Sequence, residues 1–195
     1  MEKYLGKKEK AAYGFAAAAS YMISAITQSY LMYFFTDIAL LSAGFVMALM
    51  IVARIWDAIN DPIMGIIIER TNTKHGKMRP YIFVGAFCIL VTSIMLFLPI
   101  GKLSPVFKMI YAAFAYILYG MAYTLVDVPA MGLMSVATPS SKERASLLSF
   151  YVTVGTIGGL LPIGILPIMQ SFIPEKWLYL ILAILSGLLA FVGYM

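Results

Sequence analysis

Four charged residues lie inside otherwise apolar segments, and their types and spacing are suited to chemistry. They are Arg54, Asp57, Asp61 and Asp127. Because three carboxylates oppose one guanidinium, their formal charges sum to −2. An aspartate at the centre of a membrane helix costs about 2.5 to 3.5 kcal/mol on the insertion scale. The chain must therefore compensate this excess of negative charge.

Three of the four charges project from one face of a single predicted helix. Asp57 and Asp61 are four residues apart, and Arg54 is three residues before Asp57. The excess carboxylate charge can be removed by protonation or by a small bound cation, and either process makes a site for H⁺ or Na⁺. The alternative is a structural ion-pair network that braces two helices. The surplus of negative charge favours the functional interpretation.

Oxygen-bearing residues surround these carboxylates. Asn60 precedes Asp61, and Thr124 lies three residues before Asp127. Carboxylate, carbonyl and hydroxyl oxygens are the ligands that hard cations prefer. Pro62 directly follows Asp61, and a similar proline follows the fourth-span aspartate after one residue. These prolines either expose backbone carbonyls to an ion or relieve packing, and the sequence leaves both interpretations open.

The elements that position these residues are predicted to be transmembrane helices. The chain has 195 residues, of which 62% are hydrophobic and 12% charged, and its mean hydropathy is +0.91. These values are typical of an all-α membrane protein in a lipid bilayer. The predicted spans are 12–36, 43–68, 80–100, 108–136, 146–172 and 176–195. The first span continues without a credible signal-peptide cleavage site, and the single cysteine, Cys88, excludes a disulfide framework.

The basic residues predict the orientation of the chain. Ten of its fourteen lysines and arginines fall on one side of the predicted topology. They are Lys3, Lys7, Lys8, Lys10, Arg70, Lys74, Lys77, Arg79, Lys142 and Arg144. Because Lys and Arg accumulate in short cytoplasmic loops, we expect a multi-pass protein of the cytoplasmic (inner) membrane with a cytoplasmic N-terminus. The net charge of +5 then reflects topology, and we expect no nucleic-acid partner.

Polar stripes run along three of the predicted spans. Their members are Ser20, Ser24, Thr27 and Gln28 on the first, Tyr116, Tyr123, Thr124 and Asp127 on the fourth, and Ser149, Thr153 and Thr156 on the fifth. Such stripes either line an aqueous cavity or hold helices together through small hydroxyl residues. An aspartate joins the stripe of the fourth span, which favours the cavity there.

Six segments together resemble one known family. They are Tyr13-Gly14-Phe15, LMYFFTD (31–37), VARIWDAINDPIMG (52–65), HGKMRPY (75–81), YGMAYTLVDVP (119–129) and KER (142–144). In this order and spacing they resemble the glycoside-pentoside-hexuronide:cation symporters, the melibiose permease-like group of the major facilitator superfamily. The resemblance covers the chain from about residue 13 to the sixth span.

The resemblance implies symport of a sugar, glycoside or uronide coupled to Na⁺, Li⁺ or H⁺, with no other cofactor. It implies a cation site formed by Asp57, Asn60, Asp61, Thr124 and Asp127, with Arg54 in the same charge network. It also implies that Asp127 contacts the substrate, and we place the other substrate-binding positions at Ser20, Tyr21, Tyr123 and Met131. A cytoplasmic loop motif that latches one conformation is expected at Gly65, Glu69, Arg70, Gly76, Lys77 and Arg79.

The sequence departs from melibiose-type members at the substrate site. Ser20-Tyr21 stand where those members have a Lys-Asp pair, and Met131 stands where they have a tryptophan. The fifth-helix arginine of the sugar site is replaced near Val152. The cation site is therefore kept more fully than the sugar site.

The resemblance also implies a half-length chain. Family members have two six-helix halves with the substrate between them, so this sequence is expected to be the N-terminal half of a transporter. Its expected partner is the missing C-terminal half or a second copy. The alternative function is a non-transporting fragment or a self-assembling membrane module.

Enzymatic activity is not expected. An intramembrane aspartyl protease would carry Gly-x-Gly-Asp and Tyr-Asp signatures, which this sequence lacks. The single histidine, His75, falls in a predicted loop and so removes histidine-based catalytic triads and zincin sites.

Overall fold

The computed structural model describes residues 6–74 and 76–195, and these residues form an all-helical chain. Lys3 and His75, which the sequence singled out, lie outside the described residues. The helices are α1 (Lys7–Tyr33), α2 (Ala43–Arg70), α3 (Arg79–Leu96), α4 (Pro105–Val136), α5 (Ser141–Met169) and α6 (Glu175–Tyr194). A short π-helical segment, Phe34–Ile38, directly follows α1. Each predicted span overlaps one of the α-helices.

Five of the helices, α2 to α6, are long and apolar enough to cross a membrane. Helix α1 has 27 residues, which is a sufficient length, but its polar stripe of serine, threonine and glutamine lowers its mean hydropathy. The prediction of an all-α, multi-pass membrane chain is confirmed at this level. A sixth crossing by α1 stays a prediction.

Side-chain caps and prolines account for several helix ends. Ser42 precedes α2 and accepts a hydrogen bond from the backbone N–H of Phe45 at 3.4 Å. Ser140 caps α5 in the same way through the N–H of Glu143. These bonds satisfy backbone donors that the first turn leaves unpaired. Helix α3 ends at Leu96, four residues before the predicted limit, because Pro99 disfavours helical backbone at the residue preceding it.

The helices pack unequally. Helix α1 packs along α5 and α6, and α3 packs against α4 and α6. Helix α2 packs mainly against α4 and makes few other contacts. As a result, α2 lies at the margin of the bundle with much of its surface exposed, including Ile51, Ile55 and Ile59.

Small residues allow two of the helix pairs to approach closely. A Cβ atom added at Gly158 of α5 would lie 2.6 Å from the Cα of Ala18 of α1. A Cβ added at Gly85 of α3 would lie 2.6 Å from a methyl carbon of Val126 of α4. Glycine at these positions removes the steric barrier to close helix contact, as is common in membrane bundles.

The two ends of the bundle differ in charge. At one end, Glu9, Arg79 and Ala137 line a common cavity, so the first turn of α1 and the loops before α3 and α5 lie together. Basic residues cluster in and next to these segments, namely Lys8, Lys10, Arg70, Lys74, Lys77, Arg79, Lys142 and Arg144. At the other end, the hydroxyl of Tyr33 donates a hydrogen bond to Glu175 Oε1 at 2.8 Å and joins α1 to α6.

Candidate cation and substrate site

One cavity brings the membrane carboxylates together. It has a volume of about 390 Å³ and lies between α1, α2 and α4. Asp57 and Asp61 of α2 and Asp127 of α4 line it, together with Arg54. The other lining residues are Ser24, Thr27, Gln28, Met50, Tyr116, Tyr119, Gly120, Tyr123 and Thr124. The packing of α2 on α4 thus places three carboxylates and one guanidinium on a shared wall. We call this cavity the acidic cavity.

A hydrogen bond between helices orients one carboxylate. The hydroxyl of Thr124 on α4 donates to Asp61 Oδ1 at 2.8 Å. The same hydroxyl lies 3.2 Å from the backbone carbonyl oxygen of Gly120. Thr124 is buried and Asp61 is exposed, so the bond connects α2 to α4 at the edge of the cavity, with a charged acceptor that strengthens it.

Gly120 is a site residue that the sequence analysis missed. A Cβ atom added there would lie 3.0 Å from Asp57 Oδ1, which is closer than ordinary van der Waals contact. A side chain at residue 120 would therefore displace the Asp57 carboxylate by a few tenths of an ångström. The signal in the sequence was spacing, because Gly120, Thr124 and Asp127 follow the helical pattern i, i+4, i+7.

Arg54 offsets the negative charge only in part. Its Nη1 lies 3.8 Å from Asp57 Oδ2, and its side chain is 69% exposed. An ion pair this long and this exposed is worth at most about 1 kcal/mol. The predicted charge network of Arg54 with Asp57 is present as a loose pair, and two formal negative charges remain in the cavity wall.

Asn60 occupies a different face of α2. It is buried along the stripe that also contains Ala53 and Met64, and it is not among the residues that line the acidic cavity. Among the described residues its Nδ2 has no hydrogen-bond partner. A buried, unpaired amide is costly. The structure thus brings four of the five predicted cation ligands to one cavity and places the fifth beside it.

The carboxylates are spread along the cavity wall. Within residues 6–74 and 76–195, no three His, Cys, Asp or Glu side chains are close enough to hold a metal ion together. A cation in this cavity would be held by at most two carboxylates, with neutral oxygens such as the hydroxyl of Thr124 completing its shell. That donor set is composed of the hard oxygen ligands that suit a small cation.

A second cavity of about 530 Å³ adjoins the first and lies between α1, α4 and α5. Its lining comprises Tyr21, Ser24, Ala25, Gln28, Ser29, Tyr123, Asp127, Met131, Thr156, Gly159, Leu160 and Ile163. Ser24, Gln28, Tyr123 and Asp127 line both cavities. Asp127 thus stands on a wall that the two cavities share. We call the second one the adjoining cavity.

Four of the five predicted substrate residues line the adjoining cavity: Tyr21, Tyr123, Asp127 and Met131. The fifth, Ser20, is only 1% exposed and interacts with the hydroxyls of Tyr123 and Tyr194. Ser20 therefore lies behind the cavity wall. One turn further along α1, Ser24 and Gln28 present the polar surface instead.

The predicted loop motif forms a hydrogen-bonded turn. Gly76 has a φ of +89°, a backbone conformation that residues with a side chain rarely adopt. Lys77 Nζ donates to the carbonyl oxygen of Glu69 at 3.1 Å. Gly65 has no atom within 4 Å of the position that a Cβ would take. The remaining motif residues, Arg70 and Arg79, are the last residue of α2 and the first of α3.

Comparisons with known proteins show the family to which the chain belongs. The MFS/sugar transport protein family matches residues 12–195. The inner membrane symporter YicJ of Escherichia coli K12 is 40% identical over 157 residues, which cover 80% of this chain and 34% of the relative. The putative glycoside/cation symporter YagG of the same organism is 37% identical over 167 residues, covering 85% and 36%. The isoprimeverose transporter of Lactiplantibacillus pentosus is 33% identical over 150 residues, covering 77% and 31%.

The chain spans about a third of the length of these relatives. The family match nevertheless extends over both cavities, since residues 12–195 include every lining residue. The family match and the relatives show that the chain belongs to the MFS/sugar transport proteins, within the glycoside-pentoside-hexuronide:cation symporters.

Proposed function

We propose that this chain carries the cation site of a symporter that couples Na⁺, Li⁺ or H⁺ to a sugar, glycoside or uronide. The observation that carries the proposal is the acidic cavity, where Asp57, Asp61 and Asp127 share one wall with a single arginine. The names of two relatives, a putative glycoside/cation symporter and an isoprimeverose transporter, support the choice of coupling and substrate.

The cation is held between the carboxylates of α2. Asp57 and Asp61 supply its negative ligands, and Thr124 keeps Asp61 directed into the cavity by donating to Oδ1. Asn60 stays in the proposed ligand set as a neighbour that reaches the cation after a rotation of its side chain. A bound cation or proton reduces the repulsion among the carboxylates, which stabilises the packing of α2 on α4.

Asp127 couples the two ligands because it lies on the wall that both cavities share. Its carboxylate accepts hydrogen bonds from substrate hydroxyls in the adjoining cavity. A cation in the acidic cavity compensates the negative charge around this carboxylate. Each ligand therefore increases the affinity for the other, and this coupling is reciprocal by thermodynamic linkage.

The chain supplies the N-terminal, six-span half of the transporter in this proposal. The basic loops gathered at one end of the bundle support a cytoplasmic N-terminus. A relative named as an inner membrane symporter supports the cytoplasmic membrane as its location. The partner that completes the substrate path is a C-terminal half or a second copy, and the loop motif from Gly65 to Arg79 contacts it in one conformation.

The test is calorimetry of Na⁺ and Li⁺ binding to the purified chain in lipid nanodiscs, at one acidic and one neutral pH. We expect Asp57→Asn and Asp61→Asn each to abolish binding, because each removes one of at most two carboxylates around the ion. Asp37→Asn is the matched control, since Asp37 is an exposed aspartate in the π-helical segment and is not among the residues that line the cavity.

Proton coupling predicts a different pattern in the same experiment. Neither metal ion would bind, and the chain would instead take up a proton whose binding is lost in the two α2 variants. Ion and proton binding that is unchanged in both variants would contradict the proposed site.

A further inference from the structure

No positive side chain is present among the described residues that line the adjoining cavity. Its one charged group is Asp127. Arg54 lines the acidic cavity instead, where its Nη1 lies 3.8 Å from Asp57 Oδ2. The wall of the adjoining cavity therefore offers carboxylate and neutral polar groups to a ligand.

The negative charge of the acidic cavity further disfavours an anionic ligand in the adjoining cavity. The three aspartates and Arg54 together carry a formal charge of −2, and one monovalent cation reduces it to −1. A ligand carboxylate in the adjoining cavity would approach Asp127 without a counter-ion from the described lining. Desolvating a negative charge beside another negative charge is unfavourable.

The neutral polar groups of the adjoining cavity suit hydroxyl-rich ligands. Tyr21 contributes a ring with a hydroxyl group, and Asp127 accepts hydrogen bonds. Tyr123 contributes its ring, because its hydroxyl interacts with Ser20. Thr156 is less available, because its hydroxyl donates to the carbonyl oxygen of Val152 at 2.8 Å. Gln28 is exposed, and its Nε2 donates to Ser24 Oγ at 2.6 Å.

Gln28 offers both hydrogen-bond donors and an acceptor to the two cavities. It lines both cavities, and its amide group carries two donor hydrogens and one acceptor oxygen. The bond to Ser24 uses one donor and orients the amide along α1. The remaining donor and the carbonyl oxygen match a hydroxyl, which both donates and accepts.

Resting on the proposed symport function, we propose that the adjoining cavity binds an uncharged glycoside or pentoside in preference to a uronide, and that Gln28 is a specificity-determining residue. The charge of the cavity lining thus distinguishes uncharged glycosides and pentosides from uronides. The proposal requires the residues of this chain to hold the ligand themselves, through hydroxyl contacts to Asp127 and Gln28.

The experiment compares matched ligands on the chain in nanodiscs at pH 7 with Na⁺ or Li⁺. The ligands are the methyl β-glycosides of glucose, galactose and xylose, and the methyl β-glycosides of glucuronic and galacturonic acid. Affinities are measured by saturation-transfer NMR. We expect the best neutral ligand to bind at least about tenfold more tightly than its uronide, which corresponds to 1.4 kcal/mol.

Charge variants identify the residue that sets the preference. We expect Gln28→Lys to weaken the neutral ligands and to strengthen the uronides, so that the preference shrinks or reverses, because it adds a positive charge to the wall beside Asp127. Gln170→Lys makes the same charge change at the exposed C-terminal end of α5 and is expected to leave the preference unaltered.

Equal or tighter binding of the uronides by the unmodified chain would overturn the inference. A preference that Gln28→Lys leaves unchanged would overturn the role of Gln28. Failure of every ligand to bind would also overturn the inference, since the inference assigns ligand binding to the residues of this chain. The proposed function is judged separately by Na⁺, Li⁺ or proton binding to the α2 aspartates, so the two can fail independently.

Discussion

The contact of α1 with α5 and the contact of α2 with α4 are built in opposite ways. Between α1 and α5, Gly158 lies against the backbone of Ala18, and the two helices approach closely over a long interface. Between α2 and α4, the residues at the interface include Asp57, Asp61 and Thr124, and a cavity of about 390 Å³ remains open. The first contact therefore stabilises the bundle, and the second keeps polar groups within reach of a ligand.

Under the proposed function, the contact of α1 with α5 maintains stability and the contact of α2 with α4 holds the ligand. Helix α2 makes few contacts beyond α4. Its carboxylates therefore destabilise mainly the packing of this peripheral helix. Rearrangement of α2 around a bound ion disturbs little else. Substitutions at the contact of α1 with α5 should therefore change the free energy of unfolding. Substitutions at the contact of α2 with α4 should mainly change the affinity for the cation.

The largest effect on stability is expected from Gly158→Ala. The added Cβ would lie 2.6 Å from Ala18 Cα and 2.7 Å from its carbonyl oxygen, and these backbone atoms cannot move without separating the helices. Overpacking of this kind costs about 1 to 3 kcal/mol. Thermal or denaturant unfolding in micelles measures the loss.

Gly164→Ala is the matched control on the same helix. No atom lies within 4 Å of its added Cβ, and alanine is a better helix former than glycine by about 1 kcal/mol. We therefore expect equal or greater stability. Equal behaviour of the two variants would contradict the close contact of α1 with α5.

A smaller but more specific effect is expected from Gly120→Ala. Its Cβ would lie 3.0 Å from Asp57 Oδ1, so the carboxylate must shift away from its position in the cavity wall. We expect the affinity for the cation to fall about tenfold, or 1.4 kcal/mol, while the free energy of unfolding changes less. Calorimetry and unfolding on the same samples separate the two quantities.

Gly44→Ala is the control for this variant, because it lies on α2 and has open space around its added Cβ. Its cation affinity should match that of the unmodified chain. A loss of stability in Gly120→Ala without a loss of cation affinity would place Gly120 among the packing residues.

Thr124→Val tests the hydrogen bond between α2 and α4. It removes the donor to Asp61 Oδ1 while keeping the side-chain volume. A hydrogen bond to a charged group contributes about 1.5 to 3 kcal/mol. Because Asp61 is exposed and water can replace the lost donor, we expect the free energy of cation binding to weaken by an amount near the lower end of this range. Thr124→Ser keeps the hydroxyl and should restore most of the cation affinity; equal affinities in the two variants would contradict this role.

The smallest effect is expected from Tyr33→Phe. The variant removes the 2.8 Å hydrogen bond to Glu175 at the end of the bundle opposite the basic loops. Both groups are exposed, so water replaces the lost bond and the cost is about 0.5 to 1 kcal/mol. Cation affinity should be unchanged. An altered affinity would show that the end of the bundle that carries Tyr33 is coupled to the acidic cavity.

Much of the candidate site follows from local patterns in the sequence. The spacing of Arg54, Asp57 and Asp61 predicts a shared helix face, and all three line the acidic cavity. The stripe of Tyr123, Thr124 and Asp127 predicts a polar face on α4, which the cavity lining confirms. These predictions succeed because helical periodicity depends on a few neighbouring residues.

The positions of Ser20, Asn60 and Gly120 did not follow from such patterns. Ser20 is buried behind Tyr123, and Asn60 belongs to the stripe that packs against other helices. Gly120 matters because a side chain of another helix approaches it. Each of these positions depends on how one helix is rotated against its neighbour. Residues far apart in the sequence determine that rotation together.

A helical membrane chain with unbalanced carboxylates can be predicted from the amino-acid sequence, because hydropathy and net charge are properties of composition and local order. Only the tertiary structure decided that Asp127 joins Asp57 and Asp61 at one cavity and also lines a second one. The physical reason is that the packing of α2 and α1 on α4 selects which polar groups share a space, and that packing is a property of the whole bundle.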